Sequence, residues 1–308
     1  MDPLQSLRGI ISVLNTPFTE DDTLDVDGLR KNVRYALGAG VAGFLVPAMA
    51  SEVEKLTEAE RLQLIETVVA AAAGEAPVIG GASAPDAAGR LRAAQAAIDA
   101  GSSGVLVSIP FEGETEYEAA VRAVADLEPG FLMLQDWDAA GYGLPVPLIQ
   151  RLFDSIGVFR CLKVEVVPAG VKYTQVLEAT QGRLHVSGGW AVTQMIEGLD
   201  RGVHAFMPTG MHAIYARIYR LYSAGRRDAA RALFERILPV LAFSNQHLDL
   251  SIHFFKRLLH AQGIYGTPCV RPPILPFDAV HECIADELIA RVIDLENECL
   301  SGDAAGSV

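Results

Sequence analysis

The chain has 308 residues, half of them hydrophobic, and a net charge of −13. That length suits one large α/β barrel or two modest domains. The lack of any Lys/Arg run argues against nucleic acid and anionic membrane surfaces as partners. No charged-then-apolar leader opens the sequence, and no uninterrupted apolar stretch is long enough to cross a bilayer. The four cysteines (Cys161, Cys269, Cys283, Cys299) lack CxxC spacing, which points to reduced thiols in a cytoplasm. The seven histidines show no HExxH or comparable spacing. No metal or cofactor is expected.

In chain order, Gly9 to Thr16 reads as a first strand closed by Pro17, and a helix is predicted from Val26 to Leu37. Gly43–Val46 is a second strand. Thr57-Glu58-Ala59-Glu60 has the capping-box pattern that starts a helix. The rhythm then repeats. Strands are predicted at Pro77–Gly80, Gly104–Ser108, Phe131–Gln135, Phe159–Val167, Arg183–Val186 and Val203–Met207, each followed by an amphipathic segment. Eight buried strands alternating with helices argue for a parallel sheet closed as a (β/α)8 TIM barrel over residues 1–225. A doubly wound sheet would carry a Gly-rich phosphate loop after its first strand, and Asn15-Thr16-Pro17-Phe18 is not one. Residues 226–300 read as a C-terminal three-helix extension and 301–308 as a flexible tail.

Alternation along the sixth strand predicts that Phe159, Cys161, Lys163 and Glu165 share one face. An amine near the carboxyl end of an apolar strand is costly unless it is paired or loses its proton. A neutral lysine amine is the nucleophile that forms a Schiff base with a ketone or aldehyde. A Lys–Glu pair buried in a barrel wall is the structural alternative. Barrel chemistry collects at the carboxyl ends of strands, where Lys163 would lie.

Several segments resemble the dihydrodipicolinate synthase / N-acetylneuraminate lyase family. They are Thr16-Pro17-Phe18, Gly40–Gly43, Glu52 with Leu56–Arg61, Pro77–Gly81, Pro110, Leu162-Lys163, Ser187-Gly188 and Arg271-Pro272-Pro273. The resemblance spans nearly the whole chain and implies a (β/α) barrel with a three-helix extension, a Schiff-base lysine at Lys163 and no cofactor. It also implies a small-molecule carbonyl substrate and a homodimer or homotetramer.

The chain departs from the family at its polar loops. Ala48-Met49-Ala50-Ser51-Glu52 stands where the family has Gly-Thr-Thr/Ser-Gly-Glu, so the two hydroxyl positions become Met49 and Ala50, and Ser51 alone offers an oxygen. Gln135 stands at the family's proton-shuttling tyrosine, and an amide cannot act as a general acid the way a phenol can. Phe111-Glu112 replaces a tyrosine pair, and the arginine expected after the fifth strand is missing.

The expected catalytic residues are therefore Lys163, Gln135 and Glu165. The expected substrate-binding residues are Met49, Ala50, Ser51, Gly188, Trp190, Glu112 and Tyr142, with Glu112 or Tyr142 replacing the lost acid. His212 is placed near the pocket, while Asp136 and Asp138 read as solvated loop carboxylates. The expected function is a Schiff-base lyase, an aldolase or dehydratase acting on a 2-oxo acid or related carbonyl compound, distinct from authentic dihydrodipicolinate synthase. A ligand-binding pseudoenzyme and lysine-independent chemistry through Glu165 and Glu112 remain alternatives.

Overall fold

Residue alternation along eight short strands builds the molecule. In the computed structural model, which describes residues 3–138 and 140–304, a short helix α1 (Pro3–Ser6) precedes β1 (Gly9–Val13). Then come α2 (Val26–Ala39), β2 (Gly43–Val46), α3 (Glu58–Ala72), β3 (Val78–Gly81), α4 (Ala87–Asp99), β4 (Gly104–Val107) and α5 (Glu114–Ala125). The second half runs β5 (Leu132–Asp138), α6 (Val146–Ser155), β6 (Phe159–Val166), α7 (Ala169–Ala179), β7 (His185–Gly188), α8 (Met195–Asp200), β8 (Ala205–Phe206) and α9 (His212–Ser223). Strands β1 to β8 close into a barrel in sequence order, and every pairing is parallel. The fold is thus a (β/α)8 barrel.

Inward-facing Ile11, Leu45, Ile79, Leu106, Met133 and Cys161 form one apolar cluster, with Leu7 and Phe131. Their neighbours Ile10, Phe44, Val46, Val78, Val105, Leu132, Leu134, Leu162 and Val164 join the larger core beneath the helices. The same period of two carries Met133 on to Gln135, and Cys161 on to Lys163 and Glu165, along the barrel's inner face. Phe159 does not follow that pattern. Leu132 pairs with Phe159 and Met133 with Cys161, so Arg160 is an extra residue in β6. The bulge turns Phe159 outward, edge-on to Phe153.

Thr57 and Glu60 cap α3 reciprocally, as expected. Strand β1 stops at Val13, short of Thr16, because Asn15 and Thr16 bond the next loop instead. Asn15 Nδ2 donates to the Ala50 carbonyl at 2.6 Å and Thr16 Oγ1 to the Ser51 carbonyl at 2.6 Å.

Three helices follow the barrel: α10 (Arg227–Ser244), α11 (Leu248–Ala261) and α12 (Ala279–Ala304). Residues 305–308 of the expected tail lie outside the described residues. A buried ionic cluster joins α11 to the barrel. The Lys256 ammonium contacts Glu52, donates to the Cys269 carbonyl at 2.8 Å and sits 4.2 Å from the Phe18 ring centroid. Glu52 also accepts from Lys55 at 3.2 Å and from the Arg271 N–H at 3.0 Å. No helix among the described residues is long and apolar enough to cross a membrane.

Candidate active site

At the carboxyl mouth of the barrel lies a cavity of about 540 Å³. Its floor carries Lys163 and Glu165. Register places Gln135 of β5 beside Lys163, and Ser187 of β7 on its other side. Lys163 Nζ lies 3.0 Å from Glu165 Oε2, with both residues less than a tenth exposed. Gln135 Nε2 donates to the same oxygen at 2.5 Å, and the Trp190 backbone N–H donates to Oε1 at 2.9 Å. Three donors thus converge on one carboxylate, which in its ionised form only accepts. Gly189 lets the chain pass close by, since a Cβ there would fall 2.1 Å from Glu165 Oε1.

Met49, Ala50 and Trp190 line the cavity with Lys163 and Glu165, and Gln135 reaches it through Glu165. Four other expected residues lie elsewhere. Ser51 is fully buried; its hydroxyl donates to the Leu14 carbonyl and accepts from the Ala48 N–H at 2.9 Å, so the turn itself uses the oxygen. Gly188 faces α7, where a Cβ would meet the Tyr173 hydroxyl at 2.6 Å. Glu112 is exposed in the loop before α5, outside the cavity lining. Tyr142 is also outside it, directing its hydroxyl to Gln175 at 3.3 Å.

His212 is sealed against Asn32 at 3.1 Å, and burial lowers its pKa to about 4. Asp136 is buried rather than solvated. Gln135 points inward, so its neighbour points out into the helix layer and pairs with Lys172 at 3.1 Å. Burial pushes the Asp136 carboxyl above the usual range, while Lys172 opposes that rise. Lys172 also donates to the Tyr142 carbonyl at 2.8 Å and to that of Leu144, fastening the loop after β5. Asp138 accepts from the N–H groups of Ala140, Gly141 and Gly143 within that loop.

Sequence reasoning missed much of the lining. Trp137 and Val167 follow inward positions of β5 and β6, and Thr209 follows β8, so the rule that barrel sites gather at strand ends marks all three. Tyr215 contributes its ring, while its buried hydroxyl has no hydrogen-bond partner among the described residues. Asn245, Gln246 and Ser251 come from the turn between α10 and α11 and the start of α11. No spacing in the sequence announces them. No group of three or more His, Cys, Asp or Glu able to hold a metal occurs among the described residues.

A closed parallel barrel whose sixth strand presents a carboxylate-paired amine to an open chamber defines a class of (β/α)8 enzyme. The model of the dihydrodipicolinate synthetase family matches residues 6–290, and the chain belongs to that family of lyases. It is 28% identical to the 4-hydroxy-tetrahydrodipicolinate synthase of Xanthomonas campestris pv. campestris, over 94% of this chain and 96% of that protein. The L-2-keto-3-deoxyarabonate dehydratase of Azospirillum brasilense is 27% identical, over 92% of this chain and 93% of its own length. In fold, the dihydrodipicolinate synthase of Rhodopseudomonas palustris superposes with a TM-score of 0.85 at 23% identity, covering 94% of this chain and 99% of that one.

Proposed function

We propose that the protein is a class I lyase in which Lys163 forms a Schiff base with a 2-oxo acid or related carbonyl compound, in a reaction other than dihydrodipicolinate synthesis. The observation that carries the reading is the Lys163–Glu165 contact of 3.0 Å at the floor of an open cavity. Glu165 accepts a proton from the ammonium, and the freed amine attacks the carbonyl carbon. The resulting carbinolamine loses water to give a protonated imine, which draws electrons from the adjacent carbon. Gln135 cannot relay protons as a phenol would, so Glu165 carries the proton traffic while Gln135 and the Trp190 N–H hold it in place.

Gln135 in place of a tyrosine, and apolar side chains without a hydroxyl at Met49 and Ala50, support a reaction other than dihydrodipicolinate synthesis. The similarity to a 2-keto-3-deoxy acid dehydratase supports the wider lyase class. None of the four cysteines is joined in a disulfide, as a reducing cytoplasm would leave them. A homodimer or homotetramer belongs to the same proposal, supported by exposed Val280 and Ile284 on α12, and light scattering tests it.

The direct test is borohydride reduction with pyruvate, followed by peptide mass spectrometry. The expected result is an adduct on Lys163 that is absent from Lys163→Met. If no carbonyl compound is trapped, the Schiff-base reading fails.

A further inference from the structure

We infer that the substrate carries an aryl or comparably flat apolar group, held by Trp137, Val167 and Trp190 at the ends of β5, β6 and β7. This rests on the Schiff-base reading and adds the substrate class to it. Trp137 is 51% exposed, Val167 61%, Trp190 39% and Met49 44%, and all four line the same cavity. Single exposed apolar side chains are ordinary on a protein surface. Four converging on a chamber with an amine at its floor form a patch of the kind that marks a binding surface.

The other polar side chains of the lining, Thr209, Asn245, Gln246, His247 and Ser251 with the Tyr215 hydroxyl, come from the β8 loop, α9, the α10–α11 turn and α11. Among the described lining residues, Lys163 is the sole Lys or Arg and Glu165 the sole carboxylate, and they pair with each other. A polyhydroxylated chain would need a partner for each hydroxyl once water leaves. Beyond Lys163 and Glu165 at the floor, the side chains of the β5–β7 wall offer two indole N–H groups and otherwise carbon. An aryl group instead releases water from that carbon and gains ring-to-ring contact.

The test measures borohydride trapping at Lys163 over concentration series of phenylpyruvate, pyruvate and a 2-oxo-3-deoxypentonate. Half-saturation is expected at a concentration about tenfold lower for phenylpyruvate than for either of the others. Trp137→Ala and Trp190→Ala should each shrink that ratio. The uncharged, ketone-free 3-phenylpropanamide should raise the melting temperature of both the native protein and Lys163→Met. A phenylpyruvate preference of one or less, or one that neither tryptophan substitution changes, overturns the inference. Absence of every adduct with stabilisation by 3-phenylpropanamide intact defeats the Schiff-base reading and leaves the apolar wall standing; loss of both defeats both.

Discussion

Gly189→Ala sets one methyl group against the carboxylate that holds Lys163. An ideal Cβ at position 189 lies 2.1 Å from Glu165 Oε1, 2.3 Å from its Cδ and 2.4 Å from its Cγ. Ordinary contact begins at 3.4 Å, so the oxygen must retreat by about 1.3 Å. Oε1 now accepts from the Trp190 N–H at 2.9 Å, while Oε2 holds Lys163 at 3.0 Å. A retreat of that size parts at least one of these contacts. Misplacing a reacting group by about 1 Å costs on the order of 100-fold in rate. Overpacking costs stability about 1–3 kcal/mol, a few degrees in melting temperature. The assay is the single-turnover rate of the borohydride-trapped pyruvate adduct at Lys163, read beside a thermal melt. Gly38→Ala is the control: it lies in α2 with nothing within 4 Å of its ideal Cβ, so it should leave trapping unchanged and gain about 0.5–1 kcal/mol from helix propensity. A wild-type trapping rate in Gly189→Ala would show that the position of Glu165 does not govern the amine.

Glu52→Gln takes the counter-charge from the fully buried Lys256 ammonium and leaves it a neutral amide oxygen, the Cys269 carbonyl and the Phe18 face; a loss of about 3–5 kcal/mol is expected in urea melts, and one below about 1 kcal/mol would refute the pairing. Burial lowers the Lys256 amine from 10.5 to about 8, so the unfolded chain binds the extra proton between those values. Stability should therefore climb from pH 8 to pH 10.5 and be lost again as pH falls through 8, a slope that Lys256→Met removes. Lys172→Met strands Asp136 beneath the loop after β5; a drop of about 3–5 kcal/mol and faster proteolysis within residues 140–144 are expected, and an unchanged digestion pattern would contradict the role in fastening that loop. Tyr215→Phe deletes a buried hydroxyl with no partner among the described residues and should raise stability by up to about 1 kcal/mol; a clear loss in a calorimetric melt would refute this.

The barrel was legible because its strands alternate between two apolar layers, and the same alternation put Gln135, Lys163 and Glu165 on one inner face. Legibility failed where a single residue broke the period, as Arg160 does in β6. It failed again where a polar side chain served its own backbone, as Ser51 does in its turn. Closeness in sequence to a strand end also misled. Glu112 and Tyr142 follow β4 and β5, yet both lie outside the cavity, Tyr142 in a loop that Lys172 fastens. Asp136 shows the converse: inward Gln135 dictates an outward, buried neighbour, and Lys172 meets it from α7. The α10–α11 turn carried no pattern that tied it to the mouth. Only tertiary packing brings it there.

Because Asn245, Gln246 and Ser251 reach the chamber from helices appended after the barrel, while Lys163 and Glu165 stand on a barrel strand, part of the chamber's polar lining is built on a stretch of chain separate from the buried amine. Exchanging the turn between α10 and α11 among related proteins would change that part of the chamber and leave Lys163 and Glu165 in place. Over evolutionary time, such an arrangement lets one chemical step be offered to new compounds by editing a short segment far along the polypeptide.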